Sequence, residues 1–377
     1  MLPSTLPPIP MASADLDESD IEAVVGVLRS GRLALGDQTP LFEGRMAEYI
    51  GVRHAIALSS GTAALHLIAL ALDLGPGDEV LAPSFTFAAS VNAILFVGAT
   101  PVFVDILPDT YSMDPQDMER KITCRTRAIM VVDVFGHPAE WDAILALAER
   151  YGLKIIDDSC EALGATYKGR KIGGFGDAAA FAFYPNKQMT TGEGGMLVTN
   201  SDEIARIARS LRNQGRSEMG AWLEHERLGY NYRMDEMSAA LGASQLLRIE
   251  TFLARRERVA QAYSERLTGI EWLDVPQPRP EVRMSWFVYV VTLKPGLTRD
   301  PILAALQFHG IPARGYFSPI HRQPYIIQRL GALSEELPVT DSAAHRTIAL
   351  PFHNHLTEAE IDRVVNALSE CILPTAA

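Results

Sequence analysis

Apolar and polar positions follow two different periods along this chain. Near the start, Ile21, Val24, Val25 and Leu28 recur at helical spacing and predict a helix over Leu16–Gly31. Asp17 and Asp20 can cap it reciprocally, and Gly31 suits its stop. A short loop, Gly31–Gly36, leads to a second helix over Pro40–Ile50, closed by Gly51. An alternation then begins. The apolar runs Ala55–Leu58, Glu79–Ala82, Pro101–Asp105, Ala128–Val134 and Lys154–Asp157 predict strands. Helical patterns separate them: Thr62–Leu74, Thr86–Val97, a polar stretch near Asp114–Ile122, and Trp141–Tyr151. Strands and helices alternating at this spacing argue for a mainly parallel sheet covered on both faces. Ligands of such sheets gather outside the carboxyl ends of the strands.

Two more apolar segments, Ala178–Tyr184 and Met196–Thr199, add further strands, and Asp202–Arg212 reads as a helix. Asn213–Tyr232 is polar and irregular, long enough for a functional loop. Met234–Leu267 predicts a long helix, broken near Gly242, with a densely charged second half suited to an exposed connector. The domain boundary is placed inside it, giving a large domain over residues 1–250 and a small one over 251–377. Beyond it the pattern changes. A Pro-rich turn at Gln277–Glu281, strands at Trp286–Leu293 and Ile311–Tyr316, and helices at Arg299–His309 and Thr357–Ile372 compose a smaller α+β unit. In the last helix Thr357 is the cap, and Ile361, Val364, Val365 and Leu368 form the buried stripe.

Composition narrows the function. The chain has 377 residues, enough for a large core and a second domain. A hydrophobic content of 47% and a charged content of 21% are those of a soluble globular enzyme. The net charge of −12 argues against a nucleic-acid footprint. Three widely spaced cysteines, Cys124, Cys160 and Cys371, suggest no disulfide framework and fit a reducing cytoplasm. No basic region followed by an apolar run opens the chain, and no apolar run is long enough for a membrane span.

The chemistry gathers around one lysine. Lys187 lies in a glycine-rich turn between the apolar segments Ala178–Tyr184 and Met196–Thr199. An amine held there is partly dehydrated, which favours the neutral form that attacks carbonyls. Taken alone it is a turn lysine; with three partners it is a Schiff-base lysine for pyridoxal phosphate. The partners are an acid for the pyridine nitrogen, a phosphate cradle and a flat side chain over the ring. Asp157 and Asp158 end an apolar strand, and alternation places them on opposite faces, so one of the two can serve as the acid. Ser59, Ser60, Gly61 and Thr62 open a helix, where free N–H groups and the dipole favour an anion. Phe85 and Phe87 both stand at a strand end, and nothing in the residues themselves selects one. Two rival motifs are set aside. G-F-G-D-A-A at 174–179 matches a dinucleotide fingerprint but lacks the preceding strand and following helix. His353 and His355 lack a third ligand, so no metal site is expected.

Assembled, these motifs resemble the pyridoxal-phosphate sugar aminotransferases of the DegT/DnrJ/EryC1/StrS family. The resemblance runs from about Ile9 to the C-terminus. It rests on S-S-G-T-A-A-L-H-L at 59–67, P-S-F-T-F-A-A-S-V-N-A-I at 83–94, D-D-S-C-E-A-L-G-A at 157–165, F-A-F-Y-P-N-K at 181–187 followed by G-E-G-G-M, R-N-Q-G-R at 212–216, and G-Y-N-Y-R-M-D-E-M-S-A-A-L-G at 229–242. It implies the aspartate-aminotransferase fold (fold type I) and a homodimer with shared active sites. By resemblance Lys187 is the Schiff-base lysine and Asp158 the partner of the pyridine nitrogen. Ser60, Gly61 and Thr62 hold the phosphate, Phe87 stacks on the ring, and Asn231 reaches the neighbouring subunit's cofactor. Glu161 stands where relatives often carry Gln or His beside the cofactor, and Tyr316 and His321 fall in the loop that lines the sugar site. The implied reaction moves an amino group from L-glutamate to a nucleotide-linked keto-deoxy-sugar, with the freed lysine as general base and acid.

Two departures from the family pattern stand out. Relatives often carry a serine five residues before the lysine, contacting the phosphate; here it is Ala182. Many relatives read W-L-T-T-G where this chain has R-L-A-L-G at 32–36, a loop near the sugar in relatives. Other readings are a non-catalytic cofactor-binding regulator, a plain α/β nucleotide-binding protein, and a sugar dehydrase, whose branch carries histidine where this chain has Lys187.

Overall fold

The computed structural model describes residues 7–217, 224–332 and 336–371. The first 250 residues carry strands β1 (His54–Leu58), β2 (Glu79–Pro83), β3 (Thr100–Val104), β4 (Thr126–Val132), β5 (Lys154–Asp158), the short β6 (Thr166–Tyr167) and β7 (Arg170–Lys171), β8 (Ala178–Ala182) and β9 (Gly195–Thr199). Helices α1 (Glu18–Ser30) and α2 (Gln38–Ile50) precede β1, and α3 (Gly61–Ala71), α4 (Ala88–Phe96), α5 (Pro115–Lys121), α6 (Trp141–Tyr151), α7 (Asp202–Arg212) and α8 (Glu236–Leu246) follow in order.

The main sheet has seven strands in the order β1-β9-β8-β5-β4-β2-β3. Pairs β2/β3, β2/β4, β4/β5 and β5/β8 are parallel, and β9 runs antiparallel to both its neighbours. The near-continuous apolar strands follow from burial on both faces. Helix α3 is apolar nearly all round because it packs flat on the sheet, with Ala63 to Ala69 buried. Ser60 caps it, its Oγ accepting from the Ala63 N–H at 3.1 Å.

Helix α9 (Ile249–Leu267) leads into a second core built on strands β10 (Leu273–Asp274), β12 (Tyr289–Leu293) and β13 (Thr347–Leu350), paired in the order β10-β12-β13. Strand β11 (Val282–Arg283) instead joins β6 and β7 in a separate small sheet. Helices α10 (Arg299–Phe308), α11 (Pro324–Leu330), α12 (Pro338–Arg346) and α13 (Glu358–Glu370) complete the chain. The expected cap of α13 is present as a full capping box between Thr357 and Glu360, and its four stripe residues are buried. Its expected end at Ile372 lies outside the described residues.

Three local expectations are corrected. The first helix has its Asp17–Asp20 capping box, but Ile21 is 52% and Leu28 is 53% exposed. The inner face carries Asp20 instead, whose Oδ2 accepts from Gln245 Nε2 at 2.6 Å, so α1 docks on α8 through polar groups. The helix over Met234–Leu267 breaks at Leu247–Arg248, not at Gly242. Gly242 serves close packing: a Cβ there would lie 2.7 Å from the Phe42 ring. Ile311–Tyr316 forms no strand, only an isolated bridge between Arg314 and Ala349. Its pairing partner, β13, and helices α11 and α12 carry no clear period and were not anticipated.

Candidate active site

The elements that end at one edge of the main sheet meet around a cavity of about 540 Å³. The turn after β1 contributes Ser60, Gly61 and Thr62; the segment after β2 contributes Thr86 and Phe87; the end of β5 contributes Asp158, Cys160 and Glu161. The twelve residues between β8 and β9, 183–194, bring Tyr184, Asn186, Lys187 and Glu193. Phe287, Arg314 and Tyr316 close the far side from the second core. This is the carboxyl end of the parallel strands, where crossover loops converge.

Register separates the two aspartates. Asp158 pairs with Ala180 of β8 and faces the cavity, while Asp157 points to the opposite face and is fully buried. Asp158 Oδ2 accepts from Ser90 Oγ at 2.6 Å, and its Oδ1 accepts from the Cys160 N–H at 3.2 Å. Ser90 stands one turn into α4, held by Thr86 Oγ1 at 2.9 Å. Asp157 Oδ1 accepts from Ser159 Oγ at 2.5 Å and belongs to a different cluster with Asp133. Burial pushes Asp133 up to about 7, and burial together with the Asp133 charge drives Asp157 well above the usual carboxylate range.

Lys187 closes a turn through its N–H to the Tyr184 carbonyl at 2.9 Å. Its Nζ lies 4.0 Å from the Phe287 ring centroid and 3.8 Å from Glu161 Oε1. Glu161 Oε2 accepts from the Phe135 N–H at 2.9 Å. Burial raises the Glu161 carboxyl above its ordinary value, and Lys187 offsets part of that rise. Gln188 stitches the turn down, donating to the Glu161 carbonyl at 2.6 Å and to Ser285 Oγ at 2.9 Å.

The two phenylalanines separate as well. Phe85 is fully buried among Tyr111, Phe135 and Phe317, whereas Phe87 is 66% exposed on the cavity wall. At the cradle, Ser60 is occupied as the cap, which leaves the N–H groups of Gly61 and Thr62 at the start of α3 beside the cavity. Two glycines let β8, β9 and the turn into α3 pack this closely. A Cβ on Gly195 would sit 2.3 Å from the Ser60 carbonyl, and one on Gly61 would meet Ala182 and Cys160 at 2.8 Å.

Tyr316 lines the cavity, its phenol pushed up to about 12 by burial and the Glu161 charge. His321 does not line it. The ring is buried beside Ser84, with Nδ1 2.6 Å from Ser84 Oγ and Nε2 3.7 Å from Asp341 Oδ1. These bonds make its ring the contact between the 320–322 turn and Ser84, just past the end of β2. Asn231 is exposed and bridges Asn213, away from the cavity of its own chain. Ser90, Asn186, Phe287 and Arg314 were not anticipated. Ser90 was in a quoted motif, but only the turn of α4 aims it at Asp158. The G-F-G-D-A-A segment leads straight into β8, so its glycines open no helix. Among the described residues no cluster of metal-ligating side chains occurs.

The cavity suits a flat, anionic cofactor. An aromatic ring stands free on its wall, the N-terminus of α3 opens onto it at Gly61 and Thr62, and the buried Asn186 Oδ1 lacks a protein partner. With a lysine and a carboxylate on the same cavity, fold and site define a pyridoxal-phosphate enzyme of fold type I. Comparison with known proteins narrows the class. The family model for the DegT/DnrJ/EryC1/StrS aminotransferase family matches residues 14–369. The chain is 40% identical over 375 residues to GDP-perosamine synthase of Caulobacter vibrioides, covering 98% of this chain and 100% of that one. It is 36% identical to the spore coat polysaccharide biosynthesis protein SpsC of Bacillus subtilis, covering 97% of each. Among solved structures, DesV of S. venezuelae superposes with a TM-score of 0.91 at 35% identity, over 98% of this chain and 100% of that chain. An aminotransferase from Psychrobacter cryohalolentis gives a TM-score of 0.91 at 31% identity, covering 97% and 98%. The chain belongs to the DegT/DnrJ/EryC1/StrS aminotransferase family. It is a sugar aminotransferase whose cofactor is pyridoxal phosphate.

Proposed function

We propose that the chain moves an amino group from L-glutamate to a nucleotide-linked keto-deoxy-sugar, with Lys187 and Asp158 as its catalytic pair. The observation that carries this is the meeting of Lys187, Asp158, Phe87 and the α3 N-terminus on one cavity. Bound there, pyridoxal phosphate supplies an electron-poor ring that makes the α-hydrogen of an amine acidic. Gly61 and Thr62 hold its phosphate, Phe87 covers its ring, and Asp158, fixed by Ser90, keeps a proton on its ring nitrogen. Lys187 Nζ takes the proton from the donor's α-carbon and returns it on the other side of the reaction. The Glu161 carboxyl stands 3.8 Å from that amine, and Phe287 shields it from water. Arg314 meets the negative charge of the substrates, and Tyr316 offers a phenol that stays protonated at neutral pH. The relative named for GDP-perosamine makes a guanosine-diphosphate-linked keto-sugar the first acceptor to try.

The working unit of this proposal is a homodimer in the cytoplasm. Leu16, Ile21, Leu28, Leu33 and Leu35 are exposed near the N-terminus, apolar surface that a second copy would bury. Asn231, exposed and outside its own cavity, is then free to serve the cofactor of the other subunit. The described cysteines are all free, as in a reducing compartment, and no described helix is long and apolar enough to cross a membrane. The test is a panel of nucleotide keto-sugars incubated with L-glutamate and read by mass spectrometry. Amination of one member is expected, and Lys187→Ala must abolish both that product and the cofactor's visible absorbance. Full turnover in Lys187→Ala would end the proposal.

A further inference from the structure

Arg256, near the middle of α9, is 2% exposed. Its guanidinium donates to three main-chain carbonyls: Nη1 to Trp286 at 3.0 Å and Phe287 at 3.2 Å, and Nη2 to Lys187 at 2.9 Å. No carboxylate hydrogen-bonds to it among the described residues, its Nε has no partner, and Asp15 acts on it only through space. Burial draws it down to about 10, so it remains a cation at neutral pH. An unpaired buried charge is costly unless dipoles replace its water. Here the dipoles are those three carbonyls.

The carbonyls belong to the two residues that face each other at the reactive amine, Lys187 and Phe287, and to the neighbour of the second. Trp286 holds φ at 52°, a region unfavourable for a bulky side chain. The strain is held from all sides. Trp286 Nε1 donates to Glu257 Oε2 at 2.7 Å, and the Ser285 and Phe287 N–H groups donate to the Gly136 and Phe135 carbonyls at 3.0 and 3.1 Å. A segment so restrained, joined through one arginine to the lysine turn, fixes where the ring stands relative to Nζ.

We propose that Arg256 is a positioning residue that clamps the Lys187 main chain and the Phe287 ring against each other and sets a buried cation on the main-chain side of the amine. This rests on the reading of Lys187 as the residue that carries the cofactor. Without the three carbonyl bonds the lysine turn and the ring are free to drift apart, so Nζ is held in its reactive place for less of the time. The other ionisable groups on the same cavity are Glu161, at 3.8 Å from Nζ, Asp158, Cys160, Glu193, Arg314 and Tyr316, and none of them changes in the variants used.

The test needs no sugar. Cofactor-free enzyme is mixed with pyridoxal phosphate; the Lys187 amine adds to its aldehyde with loss of one water, and borohydride adds hydride to leave a stable secondary amine. The labelled peptide is counted by mass spectrometry across pH 6–10. Per folded enzyme, Arg256→Met and Arg256→Gln are expected to lower the labelling rate about 3- to 10-fold, the scale of a misplaced reacting group. Arg256→Lys, which keeps a donor for the carbonyls, is expected to restore the rate. With the cofactor loaded, Arg256→Gln is expected to lower kcat while leaving the KM for donor unchanged. A rate per folded enzyme unchanged in both uncharged variants, or lowered equally in Arg256→Lys, overturns the clamp, because lost stability alone moves the amount of folded enzyme and not its rate. A wild type that takes no label at Lys187 sinks the cofactor role of that lysine instead, so the two failures are separate.

Discussion

Ala182 tests the phosphate cradle most directly. It sits at the end of β8, paired with Gly195, and lines the cavity beside Gly61 and Thr62. In relatives a serine often stands there, so Ala182→Ser adds one hydroxyl donor toward the phosphate without removing any bond. Ala182 is half-buried, and its methyl packs closely on Gly61, whose missing Cβ would otherwise lie 2.8 Å away. A hydrogen bond to a charged group contributes ~1.5–3 kcal/mol. At 1.4 kcal/mol per decade this is about 10- to 150-fold in affinity. Ordering the hydroxyl costs part of it, so about tenfold is the expected gain. The measurement is an equilibrium titration with pyridoxal phosphate in a Lys187→Ala background, which removes the covalent contribution, with pyridoxal as a phosphate-free control. Stability without cofactor should change by less than about 0.5 kcal/mol, as for a substitution away from the packed core. A gain under twofold, or an equal gain for pyridoxal, would refute the placement of the phosphate at this cradle.

Three further outcomes are expected. Asp158→Asn keeps the 2.6 Å contact with Ser90 but loses the charge, so cofactor still binds while turnover falls about 100-fold or more, in line with loss of a preorganised charge; near-normal kcat would count against Asp158 as the ring's partner. The buried Asp133–Asp157 pair, with Asp158 the next charge, should weaken the fold as pH rises toward neutral. Asp133 is raised from an ordinary 3.8 to about 7, so between those values the native state binds more protons than the unfolded chain and stability falls as pH rises. The melting-temperature advantage of Asp157→Asn over wild type should therefore grow from pH 5 to pH 8, and a constant difference would contradict the raised values of this pair. Finally, Lys187→Ala and Asn231→Ala subunits, each inactive alone, should recover about a quarter of normal activity when mixed, since half the dimers then carry one intact site. No recovery would show that Asn231 serves its own chain.

Much of this protein was legible before folding. The alternation of apolar runs and amphipathic stretches between Ala55 and Asp158 determines a parallel sheet, because only crossover helices can join such strands. Asp17, Ser60 and Thr357 mark helix starts through bonds that reach only three residues, so they too are local. The lysine turn, the helix-opening S-S-G-T and the two strand-end aspartates were visible for the same reason. Other features depend on partners far away in sequence. Whether Asp157 or Asp158 serves the cavity, and Phe85 or Phe87 its wall, is decided by which face the sheet and the second core leave open. The polar docking of α1 left Ile21 and Leu28 uncovered, against what their spacing alone suggests. His321 was turned into a buried contact with Ser84, 237 residues earlier. Arg256 carries no motif and lies in a charged run that reads as solvent-facing; only the packing of α9 beneath the lysine turn makes it a buried cation bound to Lys187 and Phe287. Periods and caps are short-range physics and survive in the sequence. The choice of which face is buried is a sum over distant contacts, and only the tertiary structure contains it.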